Sequence, residues 1–373
     1  MMKYKLLGRS GLRVSEFCLG TMTFGTAWGW GCDEAGCRSQ LDLFFGQGGN
    51  FIDTSNLYGS GQAEEILGNI LTPAQRNGTV LGTKYTDNLP GETAHANSAG
   101  NHRKNMVQSL EGSLTRLKTD YVDIFYVHTW DFTTRPEEVL RGLDDLIRQG
   151  KILYAGISDA PAWVISRCNE LADRMGWSPF VVNQFEYSLV ERTPDREIVP
   201  MSRALDIGMV AWSPLGGGIL TGKYTANKDA GGSRRMDNVP YKALSERNLT
   251  IARALDAVAQ EAGCTPSQAA LKWMLKKRII PVIGASSADQ LRINLASLDV
   301  ELSDDQLGQL DSASAVELGF PHDFFESAKG FVYAGLFDRI ERHRDDGIGT
   351  SADAKHNANF SYTDVMIDSP AQT

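Results

Sequence analysis

Eight short runs rich in β-branched and aromatic residues, at 17–20, 51–55, 80–84, 122–128, 153–158, 180–185, 209–213 and 279–283, alternate with longer segments of helical period. Such alternation marks repeated βα units, because two strands that pair in parallel need a crossover long enough to hold a helix. Helical stretches lie at 103–117, 137–148, 163–174, 247–262 and 266–277, each beginning or ending on cap-forming residues. Eight such units predict closure into a (β/α)8 barrel. The rival is an open, doubly wound sheet, which carries G-x-G-x-x-G after its first strand; residues 18–25, CLGTMTFG, hold no such run.

Gly8-Arg9-Ser10-Gly11 separates two extended runs, 4–6 and 12–14, and reads as a hairpin that leads into the barrel and covers its bottom. Barrels of this kind run to about 250 residues or more as one unit, which assigns 1–313 of the 373 residues to the barrel and 314–373 to a C-terminal extension. A further helix is expected at 331–343, followed by a loosely ordered polar tail at 347–373. The polar segments 86–100 and 225–233 read as surface loops placed to act as lids.

A formal charge of −9 argues against a grip on nucleic acid, which needs clustered Lys and Arg on one face. No apolar run approaches the ~18 residues of a membrane span, and Lys3, Lys5, Arg9 and Arg13 are spread through the first twenty positions in a way no signal peptide is. Five scattered cysteines, without metal-ligand spacing, read as reduced thiols of a cytoplasmic protein. The six histidines show neither H-x-H nor H-E-x-x-H, so a metal-dependent hydrolase on the same barrel lacks its ligands and no metal site is assigned.

Polar side chains fall at the carboxyl ends of successive strands, where barrel enzymes assemble their sites: Asp53, Lys84, His128, Ser158, Gln184 and Ser213. Any one of them alone is an ordinary strand-end residue. Together, closure aims Asp53, Lys84 and His128 into one mouth, where burying a lysine beside a carboxylate is costly unless the pair is used. Tyr58 follows Asp53 by one short loop. A phenol titrates near ~10, and the Lys84 ammonium, held by Asp53, is expected to bring it down and make it an acid, while His128 orients the substrate oxygen or shares in the proton movement. Hydride has no source among amino acids, so this chemistry requires a cofactor.

The run Gly216-Gly217-Gly218-Ile219-Leu220-Thr221-Gly222-Lys223 nearly matches a Walker A loop, but Tyr224 stands where its Mg-binding hydroxyl belongs. What remains is a glycine-rich loop offering backbone N–H groups and a Lys to a phosphate, directly after the seventh strand. Trp212 lies on that strand, either as core packing or as a face for a flat ring.

These segments, GGNFIDTSNLYGSGQAEEILG, LGTKY, LKTDYVDIFYVHTWD, GKILYAGISD, VVNQFEYSLVER, VAWSPLGGGILTGKY and IGASSADQLRINL, closely resemble the aldo-keto reductase superfamily over most of the barrel. The resemblance implies Asp53, Tyr58, Lys84 and His128 as a catalytic tetrad, with Tyr58 the acid in reduction and the base in oxidation. It implies NADP(H) as cofactor, with NAD(H) as the alternative. Ser158 and Gln184 would hold the nicotinamide carboxamide, Trp212 would stack on the ring, and Ser213, Leu215, Gly217 and Lys223 would cradle the pyrophosphate. Ser286, Gln290 and Asn294 would lie near the adenosine end and Arg234 would close over the phosphates; Gly20, Thr21, Asp53, Asp159 and Gly284 complete the implied cofactor contacts.

Asp159, Ser286 and Ile293 depart from residues common at their positions, which loosens the choice of NADP(H) more than the choice of reductase. GASS resembles the branch of potassium-channel β subunits and aryl-alcohol dehydrogenases, and HTWD, GNHRKNM and LGFPHDFF lean toward the latter. Phe24, Trp28, Trp30, Tyr58 and Trp130 would then line an apolar pocket for an aryl or other bulky carbonyl, unless Trp28 and Trp30 merely cover the rim. The expectation is a carbonyl–alcohol oxidoreductase acting on a small molecule as a monomer or homo-oligomer. A cofactor-binding sensor with little turnover is the alternative.

Overall fold

A computed structural model describes residues 1–88, 94–226 and 244–340. All eight expected strands form. They are β3 (Cys18–Gly20), β4 (Phe51–Asp53), β5 (Val80–Tyr85), β6 (Val122–Val127), β7 (Ile152–Ser158), β8 (Phe180–Glu186), β9 (Gly208–Trp212) and β10 (Ile280–Ile283). They pair in parallel in chain order, and β10 bonds to both β9 and β3, so the sheet closes on itself. Ahead of them β1 (Tyr4–Leu6) and β2 (Arg13–Ser15) pair antiparallel as the expected hairpin.

The hairpin covers the amino ends of the barrel strands. Leu7 and Val14, both fully buried, pack in one cluster with Cys18, Phe51, Val80, Ile124, Tyr126, Val182, Val210 and Ile280. These strand residues face inward, and side chains alternate with a period of two. The next inward residue toward the carboxyl end is therefore fixed: Asp53 follows Phe51, His128 follows Tyr126, Gln184 follows Val182 and Trp212 follows Val210. Apolar filling below and polar chemistry above are written on the same strand faces.

Tyr126 fills much of the space beneath the mouth. A Cβ on Gly82 would sit 2.9 Å from its ring and one on Gly156 would sit 2.5 Å from it, so both positions exclude any larger residue.

Helices form the outer layer over the alternate strand residues, with Leu19, Ile52, Leu81, Phe125, Val127 and Ile157 buried against them. Their starts follow side-chain capping. Thr265 and Gln268 make a reciprocal capping box at Pro266–Lys276, and His102 accepts from Asn105 N to open Arg103–Leu117. Cys32 and Cys37 flank the start of Glu34–Gly46 with their sulfurs 3.3 Å apart, at the two positions where a hydrophobic staple fixes a helix entry.

The last α-helix among the described residues lies earlier than expected. It spans His322–Val332, and residues Ala334 and Gly335, both with positive φ, turn the chain out of it before a short 3-10 turn at Phe337–Arg339. Residues 341–343 of the expected 331–343 helix, the 347–373 tail and most of the 225–233 loop lie outside the described residues, as do 89–93 of the 86–100 loop. Among the described residues no helix is long and apolar enough to cross a membrane, and no group of three or more His, Cys, Asp or Glu is placed to hold a metal ion.

Candidate active site

Lys84 is fully buried near the carboxyl end of β5, and all three N–H groups of its ammonium have acceptors. Nζ donates to Asp53 Oδ2 at 2.6 Å, to the Thr54 carbonyl at 2.8 Å and to Tyr58 Oη at 3.1 Å. Asp53 is equally occupied, since its Oδ1 accepts from Gln184 Nε2 at 2.8 Å. A buried ion pair persists only with such complete hydrogen bonding. Burial pulls the lysine down, but Asp53 and then Tyr58 outweigh it and hold the ammonium charged.

Tyr58 reaches this pair from a tight turn, Tyr58–Gly61, in which Gly59, Ser60 and Gly61 all take positive φ. Its phenol is not brought down as the sequence suggested. Burial raises it above the ordinary range, Lys84 pulls against burial, and Asp53 adds to the rise. The net direction is upward because a phenolate has little water to solvate it here. His128 follows β6 directly, and its ring stands edge-on to that of Tyr58, with centroids 6.2 Å apart.

Behind β5, Thr83 Oγ1 donates to Glu64 Oε1 at 2.6 Å, and Arg116 Nε donates to Glu64 Oε2 at 2.8 Å. Glu64 is fully buried. This brace ties the strand residue beside Lys84 to helices Gln62–Ile70 and Arg103–Leu117.

Around the mouth the other singled-out residues form an arc on β7, β8 and β9. Ser158 Oγ donates to Asp159 Oδ2 at 3.2 Å, and Trp212 Nε1 donates to Asp159 Oδ1 at 3.0 Å. Partial desolvation at the mouth raises the Asp159 carboxyl although the residue keeps an exposed edge, with the Trp212 hydrogen bond the largest opposing influence. Asp159 and Ser213 hold φ of 44° and 54°, left-handed values that cost a non-glycine residue on the order of 1 kcal/mol or more. Strain of this kind clusters at ligand-binding positions.

After Ser213 the chain makes a 3-10 segment, Gly216–Thr221, with Gly216, Gly217 and Gly218 at positive φ. Gly217 N donates to Ser213 Oγ at 3.2 Å. A Cβ on Gly218 would lie 3.0 Å from Lys223 Nζ, so the missing side chain leaves the ammonium room over the loop. Bare backbone with an adjacent lysine is a cradle suited to a phosphate. Leu215 bounds it.

Thr21 donates to the Asp53 carbonyl through N and Oγ1, both at 3.0 Å, and Gly20 pairs with Asp53 across β3 and β4. Gly284 follows β10, and the ideal Cβ position there is 3.7 Å from the Gly20 carbonyl. Ser286 N and Oγ both donate to Gln290 Oε1, at 2.8 and 3.0 Å, around the start of Ala288–Leu295, where Asn294 is buried. Arg234 lies outside the described residues. Strand ends, left-handed turns and a glycine cradle thus fit an elongated, phosphate-bearing cofactor.

The aromatic residues divide. Trp28 and Trp30 are partly exposed and lean on one another at 5.6 Å, and Trp130 is buried with its N near the Asp159 carbonyl at 3.5 Å. Phe24 is packed inside the core, 1% exposed, and offers no open face.

Sequence reasoning passed over Asp87. Its Oδ2 lies 2.7 Å from His128 Nδ1. Nothing in the polar stretch after Lys84 distinguishes it, since the partner lies on the next strand.

A closed βα barrel that gathers a phenol, an ammonium and a carboxylate at its mouth beside a phosphate cradle defines a carbonyl–alcohol oxidoreductase. The chain belongs to the aldo/keto reductase family, whose model matches residues 16–315. It is 36% identical over 328 residues to norsolorinic acid reductase of Aspergillus flavus, covering 86% of this chain and 82% of that one. It is 35% identical over 353 residues to the aryl-alcohol dehydrogenase [NADP(+)] of Phanerodontia chrysosporium, with 88% and 91% covered. An aryl-alcohol dehydrogenase of Pestalotiopsis microspora is 36% identical over 333 residues, with 86% and 85% covered.

Proposed function

We propose that the protein interconverts an aryl or other bulky aldehyde or ketone with its alcohol, using NADP(H), with Tyr58 as general acid in reduction and general base in oxidation. The observation that carries this reading is the Asp53–Lys84–Tyr58 chain, at 2.6 and 3.1 Å. A phenol near ~10 is protonated at neutral pH and burial pushes this one further up, so the acid is loaded before reaction. As the proton leaves for the substrate oxygen, the fixed Lys84 charge stabilises the phenolate, and Asp53 holds Lys84 in place. In oxidation the same groups run in reverse. There His128 orients the alcohol oxygen.

NADP(H), when bound, supplies or takes up the hydride. Ser158, Asp159 and Gln184 would meet its carboxamide and Trp212 its ring. Ser213, Leu215, Gly217 and Lys223 would meet its pyrophosphate, with Ser286, Gln290, Asn294 and Arg234 toward the adenosine phosphate and Gly20, Thr21 and Gly284 lining the floor. The aryl preference is supported by Trp28, Trp30 and Trp130 and by the names of the relatives. We place the barrel at 1–313 and the extension at 314–373, working in the cytoplasm as a monomer or homo-oligomer on a free small molecule rather than a nucleic acid, which the charge of −9 supports.

A panel of aryl and alkyl carbonyls and alcohols, run with NADPH and NADH and their oxidised forms, tests the reading. Turnover of bulky carbonyls with NADPH is expected. Tight NADPH binding without turnover of any substrate would favour a sensor instead.

A further inference from the structure

His128 has two ring nitrogens, and one is held. Nδ1 lies 2.7 Å from Asp87 Oδ2, while the nearest alternative, Ser55 Oγ, is 3.5 Å away. That hydroxyl already donates to Asn56 Oδ1 and accepts from Leu57 N. Asp87 stands three positions beyond Lys84 on the segment leaving β5.

The residue that aims it is Thr86, whose φ of 126° is one that branched side chains rarely adopt. Four hydrogen bonds over-determine that conformation. The Thr86 carbonyl accepts from Gly100 N at 2.7 Å and from Asn105 Nδ2 at 3.3 Å. Its Oγ1 accepts from Asn101 Nδ2 at 2.9 Å and from His128 N at 3.2 Å. Thr86 thus fastens the backbone of His128 while turning the chain so that Asp87 meets the ring of the same histidine.

We infer that Asp87 is a positioning residue for His128: its carboxylate accepts Nδ1–H, fixes the imidazole in that tautomer, and leaves Nε2 as a hydrogen-bond acceptor that orients the alcohol hydroxyl, while Tyr58 remains the group that exchanges the proton. A neutral imidazole has one donor and one acceptor nitrogen, and the partner of the first decides the second. The inference rests on the reading that His128 takes part in the reaction.

Histidine ring-nitrogen NMR on 15N-labelled protein tests it, with His128 identified by the signals missing from His128→Gln. In the unaltered chain with a neutral ring, the proton is expected on Nδ1. In Asp87→Ala it is expected to move toward Nε2, and kcat for alcohol oxidation to fall on the order of tenfold, with NADP affinity and melting temperature unchanged. Asp87→Ser gives the same two readings if the alanine variant does not fold. A proton on Nε2 in the unaltered chain, or identical His128 signals with and without Asp87, overturns the inference. Full turnover by His128→Gln would instead refute the role of His128 itself, and the NMR signal would still decide whether Asp87 sets its tautomer.

Discussion

Lys84 donates to the oxygen of Tyr58 at 3.1 Å, so the phenolic proton points away from the lysine. In the proposed reaction the ammonium would therefore stabilise the phenolate that forms without competing for the proton that leaves. A burial-raised phenol and a nearby fixed charge are complementary: one keeps the acid protonated between turnovers and the other lowers the barrier to losing the proton.

Tyr58→Phe keeps the ring and removes only the proton donor. We expect kcat for carbonyl reduction to fall by about 10²–10⁴ while the NADPH dissociation constant, read by protein fluorescence quenching, stays within about twofold. Turnover at the unaltered rate would remove Tyr58 from the reaction.

Lys84→Met strands the Asp53 carboxylate in a dry interior. Breaking one side of a buried pair costs about 3–5 kcal/mol, and urea denaturation should show it together with the loss of activity. In the double variant Asp53→Asn/Lys84→Met no unpaired charge remains, so much of the stability should return while turnover stays absent. Recovery of activity in that variant would contradict the assignment.

Asp159 provides a pH test. Its folded-state carboxyl is raised by partial desolvation, so the folded protein binds this proton more tightly than the unfolded chain does. Stability from this group is lost as pH rises from the ordinary carboxylate value of ~3.9. Asp159→Asn should raise the melting temperature at neutral pH by no more than about 1 °C, because solvent screens a group this exposed, and the gain should vanish near pH ~4. A gain independent of pH would mean that ionisation is not its source.

Arg116→Ala leaves Glu64 charged, fully buried and bound only by Thr83. A loss of about 3 kcal/mol is expected in chemical denaturation. Activity should fall less than for changes at Lys84, because the brace acts on β5 from behind.

Arg234→Ala should weaken NADPH binding with little change for NADH, as a guanidinium engaging the 2′-phosphate predicts. Equal losses for both cofactors, measured by titration, would show that this arginine does not read that phosphate.

The eight strands were legible because each carries its own β-branched or aromatic run, and the boundaries fall within two residues of those read from sequence. Helix Arg103–Leu117 was located to the residue. The strand-end rule located Asp53, Lys84 and His128, since each lies on the inward face of its strand. Missed relationships share one property. Asp87 with His128, and Glu64 with Thr83 and Arg116, join residues on different elements, and no local pattern marks them. The upward direction of the Tyr58 phenol was missed for a related reason, because burial is a property of the closed barrel and not of the segment. Phe24 reads as a pocket-lining aromatic in sequence, yet lies in the core because the chain turns inward at Thr21, whose carbonyl accepts from Phe24 N at 2.8 Å.

With Asp53, Thr54 and Tyr58 occupying every N–H of Lys84, the floor of the mouth has no idle proton to lend. On the proposed mechanism, a phenol spent in one reduction would have to be recharged from the other side, where His128 and Asp87 are partly exposed. The same rim would then serve as a supply line for protons as well as an entrance.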